Sequence, residues 1–332
     1  MSDVSNFHLL LNHIFIYNVI NHLKLVKFLT FSKELFLEDG FVDLGKVLDK
    51  NATHDLLEQV YTSRDFSSAL FIDEEQHRKN PRYTKTNPGP GINFTEKVDL
   101  SFIEENPTFR NAMTTVLGSD YNILLKKFVV GVPDDWIPDW AIREISGLGA
   151  TNLGSYIKPE FHDITFFHGI DFHQDLIDHP KRKADFVTLY VYLDNVIDGM
   201  SPLVVVPKSH IFGATTFPHK ITVHNGTNKL TYEDRRGRKG DFNFKFLTGE
   251  AGNIYFWSQL TLHGTQPQGV TKPRISLRYQ IERGKNDEPC LIDEFNNQID
   301  GPLLLESVRY DQDESGKVEK RGNTINNVPE QS

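Results

Sequence analysis

A single cysteine, Cys290, stands among 332 residues, and one thiol makes no internal disulfide. The fold therefore owes nothing to an oxidising compartment, and a cytoplasmic setting is expected. Cys290 itself reads as a small, partly buried packing residue. Positive charge is also short: 36 Lys and Arg face 45 Asp and Glu, for a net charge of -9. Binding that works by covering phosphates needs clustered Lys and Arg, so no nucleic-acid partner is expected. Long apolar runs are missing too. The most apolar stretch, residues 7–28, is broken by Asn12, His13, Asn18, Asn21, His22, Lys24 and Lys27, and each charge placed in hydrocarbon costs roughly 2.5–3.5 kcal/mol. No membrane span is expected there. A beginning that carries Asp3 and no Lys or Arg does not read as a signal peptide. Residues 1–33 read instead as an amphipathic helical extension.

What is present suits a globular enzyme. With 38% hydrophobic and 24% charged residues, the chain can bury a sizeable core. Residues 34–310 read as one domain, and 311–332, polar and without periodicity, as a disordered tail. Helical spacing is expected over Lys46–Ser63 and again from Leu100 to Val116. Between them, residues 76–94 are rich in Pro, Gly, Asn and positive charge and read as a loop that covers a pocket. Tyr121–Val130 is a strand candidate. Residues 131–170 read as an irregular insertion with substrate-side structure rather than core ladder. From residue 171 the pattern becomes short strands and turns: 186–193, 202–206, 242–246, 252–257 and 274–281, with the basic run Arg235–Lys239 in a turn. Such a succession predicts an antiparallel sandwich or jelly roll with flanking helices.

The chemistry centres on Phe172-His173-Gln174-Asp175. In extended chain, alternate side chains share a face, so His173 and Asp175 project together while Gln174 turns away. A third ligand must arrive from a distant strand, and His263 follows the apolar run Ile254–Trp257. Two neutral imidazoles and one carboxylate on one face of an octahedral metal leave three positions open, the arrangement of non-haem Fe(II) oxygenases. Those positions suit a bidentate oxo-acid and O2. Arg274 opens the next strand candidate, where its guanidinium can pair bidentately with the far carboxylate of an oxo-diacid. Arg278, on the same strand face, competes for that role. An H-x-D triplet alone is weak evidence, since 13 histidines and 45 acidic residues produce one by chance.

As an ordered set, these motifs resemble the phytanoyl-CoA dioxygenase family of Fe(II)/2-oxoglutarate oxygenases over roughly residues 34–285. The resemblance is carried by Glu38-Asp39-Gly40-Phe41, His173-Gln174-Asp175 and Tyr190-Val191-Tyr192-Leu193-Asp194. It continues through Pro202–His210, and Gly252 through His263 to Arg274. It implies a double-stranded β-helix (jelly roll, cupin-like) core, and hydroxylation of an unactivated C–H bond coupled to decarboxylation of 2-oxoglutarate to succinate and CO2. By position it implies iron on His173, Asp175 and His263, and 2-oxoglutarate on Arg274 with help from Thr265. Two departures stand out. Lys208 replaces the usual glycine of Pro-Gly-Ser-His, which weakens the option of positive φ. Tyr190, assigned to the cofactor-binding set, replaces a common Trp. Because Asp175 is a carboxylate, hydroxylation or another oxidation such as desaturation is favoured over halogenation.

The resemblance implies a small-molecule substrate, read here as a small metabolite or natural-product intermediate. Two alternatives stand beside it: a metal-dependent cupin that uses no 2-oxoglutarate, and an inactive sensor or interaction protein of the same fold. Among the other candidates, His210 reads as a hydrogen-bonded turn residue, and Trp136, Trp140 and Trp257 as packing residues. His162, His168 and His179 crowd the motif as possible pocket residues, at least one of them exposed. Lys126 and Lys127 read as solvated.

Overall fold

The computed structural model describes residues 31–79, 88–179, 184–213, 216–267, 269, 272–284, 290–299, 307–319, 324–325 and 328. The expected N-terminal helix and the centre of the 76–94 loop lie outside the described residues. Helix α1 (Lys33–Asp39) ends at Gly40, whose φ of +65 is left-handed. Only glycine fits here: a Cβ would fall on the His210 ring and within 2.7 Å of Thr261 Oγ1. Helix α2 (Lys50–Thr62) starts later than its apolar pattern suggests. The Asp49 side chain accepts hydrogen bonds from the Asn51 and Ala52 N–H groups and so caps it. The helix expected from Leu100 to Val116 is broken in two, because Pro107 bars the residue before it from helical backbone. The 76–94 segment begins as helix, with α3 at Glu74–Lys79. Then α4 spans Ser101–Glu104, and α5 spans Pro107–Leu117 under an Asn106 cap. Helices α6 (Asp139–Ile145) and α7 (Leu291–Asn296) complete the set used below.

The strands are β1 (Phe41–Lys46), β2 (Asn122–Gly131), β3 (Ala150–Asn152), β4 (Thr165–His173), β5 (Phe186–Tyr192), β6 (Leu203–Val205), β7 (Thr216–Phe217), β8 (Lys220–His224), β9 (Lys229–Glu233), β10 (Lys239–Asn243), β11 (Lys245–Leu247), β12 (Asn253–Ser258), β13 (His263–Thr265), β14 (Arg274–Glu282) and β15 (Val308–Arg309). Ten of them form one sheet in the order β1-β12-β5-β14-β2-β4-β13-β6-β11, with β3 added beside β4. Its pairings are antiparallel apart from β2 with β4. The sheet curls into a double-stranded β-helix, the cupin-like jelly roll, with helices at its flanks.

Strand β6 shows why apolar runs persist where alternation is expected. Leu203 and Val205 face an inner cluster with Tyr190, Tyr192 and Trp257. Val204 and Val206 face an outer cluster with Phe172, Phe212 and Tyr232. A strand covered on both faces has no polar side to show. The outer cover is a three-stranded sheet, β10-β9-β8, so the stretch 242–246 is not one strand. The chain leaves β10 at Phe244 and enters β11, which pairs with β6 in the main sheet. The basic turn Arg235–Lys239 is organised by buried Asp234, which accepts from the Arg236 and Arg238 N–H groups and from Arg238 Nε at 2.6 Å.

Two expectations are corrected. Core ladder begins inside the 131–170 stretch, since β4 starts at Thr165 and pairs with β2. The tail is not a disordered appendage where it is described. Strand β15 pairs with β7, and Ile325 and Val328 are buried in the outer cluster. The Asp171 carboxylate accepts from the N–H groups of Thr324 and Ile325 at 2.9 and 2.8 Å. Docking through backbone N–H groups and two aliphatic side chains leaves no periodic trace in a polar sequence. Among the described residues no helix is long and apolar enough to cross a membrane.

Candidate metal centre

Strand β4 ends at His173, and Asp175 begins a short 3-10 turn rather than continuing the strand. Gln174 between them keeps extended backbone, so the alternation of faces survives. Its side-chain amide points away and donates to the carbonyls of Gly213 and Leu260 at 2.7 and 2.6 Å. His263 opens β13 and is the direct ladder partner of His173. The ligand atoms of His173, Asp175 and His263 lie within 4.8 Å of one another.

Each imidazole is oriented by a carbonyl two residues before it. His173 Nδ1 lies 2.9 Å from Asp171 O, and His263 Nδ1 lies 3.0 Å from Thr261 O. A carbonyl only accepts, so Nδ1 carries the proton in both rings and each Nε2 presents a lone pair. Thr261 is itself tied down, its hydroxyl donating to Gly40 O at 2.7 Å. The turn that delivers His263 is thus braced by the glycine ending α1. Burial, with His263 beside it, holds the His173 pKa well below its ordinary value and keeps the ring neutral. Burial pushes the Asp175 carboxyl up, but Arg278 and the two imidazoles outweigh it and hold the group well below the usual carboxylate range. Asp175 accepts from Arg278 Nη2 on one oxygen and from Thr188 Oγ1, at 2.6 Å, on the other. Two imidazoles with Nδ1 committed to carbonyls, beside an ionised carboxylate, fit a divalent metal with open positions.

A cavity of about 440 Å³ opens in front of the triad, a volume typical of small-molecule sites. Arg274 lies at its inner end, buried. Its Nη1 donates to Ser201 O at 2.6 Å, and its Nη2 donates to Thr265 Oγ1 at 3.3 Å. Arg274 and Thr265 are therefore brought together, while Arg274 Nε is buried without a partner among the described residues. Tyr190 lines the same cavity. It stacks on Trp257, with ring centroids 5.3 Å apart, and is the cross-strand partner of Arg278. Trp257 in turn lies against the His263 ring. None of His162, His168 and His179 lines this cavity. They bond to Ile157 O, Asp134 and Gln280 respectively.

Several residues of the site were not singled out from the sequence. Thr188 sits in an apolar run with no motif to mark it. Lys127 was read as solvated but is buried, 1% exposed, and lines the cavity; its neighbour Lys126 meets an acid near the surface, Glu104. Strand alternation with Val129 was the available signal. Residues of the tail, including Arg309 and Lys317, and residues of the 131–170 stretch, including Ile145 and Tyr156, form the outer wall. Lys208 adopts φ of +68 despite its side chain, so the turn keeps the left-handed backbone that glycine would supply.

No family model matches the sequence, and no curated protein matches it. Among solved structures, the non-haem alpha-ketoglutarate-dependent epimerase SnoN from nogalamycin biosynthesis is similar at 14% identity, with 76% of this chain and 81% of that chain covered and a TM-score of 0.46. The non-haem monooxygenase ThoJ, as its Ni complex, is similar at 14% identity, covering 76% of each chain with a TM-score of 0.44. The alpha-ketoglutarate-dependent carbocyclase SnoK is similar at 12% identity, covering 83% and 92% with a TM-score of 0.45.

Proposed function

We propose that this chain is an Fe(II)/2-oxoglutarate-dependent oxygenase of the phytanoyl-CoA dioxygenase type, hydroxylating an unactivated C–H bond of a small metabolite or natural-product intermediate. The observation that carries the reading is the pairing, in one cavity, of a two-imidazole, one-carboxylate triad with a buried, pre-set guanidinium. The donor set fits iron: the two imidazoles and the Asp175 carboxylate bring their ligand atoms within 4.8 Å of one another, and Nδ1 of each ring is already committed to a carbonyl, which leaves Nε2 for the metal. When bound, iron and 2-oxoglutarate supply the oxidising power, with O2 delivering one oxygen atom to the C–H bond and one to succinate as CO2 leaves.

The chain's own residues then have distinct tasks. Arg274 holds the distal carboxylate of 2-oxoglutarate through its fork, with Thr265 Oγ1 completing the pocket. Thr188 and Arg278 keep Asp175 ionised and fixed in direction. Tyr190, stacked on Trp257, would give the cavity that takes the cosubstrate a flat, rigid wall. The outer wall excludes water from the reacting face.

Anaerobic addition of Fe(II) and 2-oxoglutarate is expected to give the visible charge-transfer band of a chelated oxo-acid, and admission of O2 to give succinate. Arg274→Gln is expected to raise the 2-oxoglutarate concentration needed for the band more than tenfold, leaving Fe(II) binding intact. Retention of band and succinate in Asp175→Ala would overturn the assignment.

A further inference from the structure

We infer that the hairpin of residues 311–319 reads the outer end of the substrate, with Gln312 and Val318 as the contact pair, and that this end carries a neutral hydrogen-bonding group on an apolar body. The inference deepens the function proposed above and rests on it. The hairpin is a small unit braced by its own polar groups. Asp313 Oδ1 accepts from the N–H groups of Ser315 and Lys317 at 2.8 and 2.9 Å. Buried Asp311 accepts from Arg309 Nε and Nη2 at 2.8 and 2.5 Å. The Asp313 N–H donates to Lys317 O at 2.9 Å and the Glu319 N–H to Asp311 O at 2.8 Å. These two bonds flank the bridge partners Gln312 and Val318. The partners are thus a non-hydrogen-bonded pair, the arrangement in which opposite side chains share a face and stand closest. Both line the cavity.

The hairpin is held by the same stretches of chain that carry the metal and cosubstrate residues. Just after Asp175, Leu176 O accepts from Ser307 Oγ at 3.3 Å and Asp178 accepts from Arg309 Nη1 at 3.3 Å. Beyond the hairpin, the N–H groups of Thr324 and Ile325 reach Asp171, two residues before His173. Gln266, next to Thr265, donates through Nε2 to the carbonyls of Ile325 and Val328 at 3.3 and 2.8 Å. A surface pinned on both sides of the triad keeps its distance from the reacting centre, as a specificity contact must.

The charges at the rim carry both signs, Glu144 and Asp178 against Arg309 and Lys317, and Arg309 is engaged by Asp178 and Asp311. Glu144, Asp178 and Lys317 are exposed. Solvent-screened charges of mixed sign select no net charge on a ligand. Gln312 makes no side-chain hydrogen bond to another described residue, and its amide offers a donor and an acceptor at one point. Beside it, Val318 joins Ile145, Leu148 and Phe167 in the lining, apolar surface that suits the body of the ligand.

Probes that share one alkyl body and differ only in the head test this: hexanamide is neutral, hexanoate anionic and hexylamine cationic near neutral pH. The wild-type protein, loaded anaerobically with Fe(II) and saturating 2-oxoglutarate, is titrated with each by calorimetry while the charge-transfer band reports occupancy of the centre. Hexanamide is expected to bind at least fivefold more tightly than either charged probe. With the band retained, Gln312→Glu is expected to move the preference to hexylamine and Gln312→Lys to hexanoate, a reversal that a merely structural role would not produce. Val318→Ser is expected to weaken all three probes threefold or more. A band in the wild type with no preference for hexanamide, a preference unmoved in both Gln312 variants, or binding untouched in Val318→Ser overturns the inference and leaves the proposed function standing. Absence of the band in the wild type overturns both.

Discussion

Replacing Thr188 by valine isolates what a single hydroxyl does for the metal centre. The side chain is fully buried, and valine has nearly its shape, so the exchange opens no cavity. What is lost is the 2.6 Å hydrogen bond from Oγ1 to Asp175 Oδ2. A hydrogen bond to a charged acceptor contributes about 1.5–3 kcal/mol, and loss of an outer-shell partner costs about 10–100-fold in metal affinity, which is the same range expressed as a binding constant. The expected result is Co(II) or Fe(II) affinity reduced by that factor in Thr188→Val, read by competition with a chromophoric chelator. Thr188→Ser, which keeps the donor, should recover most of it. Metal-free Thr188→Val should also unfold at lower urea, because Asp175 keeps its burial and loses a partner. Affinity within twofold of wild type in the valine variant would refute the account of how the carboxylate is held.

Two further outcomes follow from the same contacts. Asp171→Asn leaves one carbonyl oxygen where two carboxylate oxygens receive the N–H groups of Phe172, Thr324 and Ile325, and it turns an amide donor toward a donor. The tail around residues 324–328 should become open to limited proteolysis, with metal affinity also falling because Asp171 O orients His173. Tail protection equal to wild type would show that these bonds do not hold it. Stability should also fall with acid: burial holds His210 at about 4 and His219 at about 3. Both lie below the unfolded value of about 6.5, so the unfolded chain takes up protons first. Their contribution is complete above about pH 6.5 and is lost as pH falls toward the folded values, at about 1.4 kcal/mol per pH unit for each ring. Urea midpoints of the metal-free protein at pH 7 and pH 5 check this; equal midpoints refute it.

Much of the architecture was legible because it is written in local pattern. Strands β5, β12 and β14 fall within a residue or two of their apolar runs, and α2 ends where its periodicity ends. The misreadings have separate causes. Phe244 joins two strands of different sheets with no break in hydrophobicity. Pro107 splits one helix through a backbone restriction that outweighs apolar spacing. The tail docks through groups that every residue possesses.

For the site, strand alternation and the few residue types that metal and carboxylate chemistry admit point to His173, Asp175 and His263 and leave Arg274 and Arg278 as competitors; only the ordered set of motifs, through the family resemblance, favours Arg274. Only the curl of the sheet brings His173 and His263 side by side as ladder partners. It also brings Arg278 to Asp175 across 103 positions of chain and sets Lys127 against Arg278. Local sequence governs backbone conformation and which side chains share a face. Which faces meet, and therefore which charges are buried together, depends on register between distant strands, and that is settled only when the sheet curls on itself.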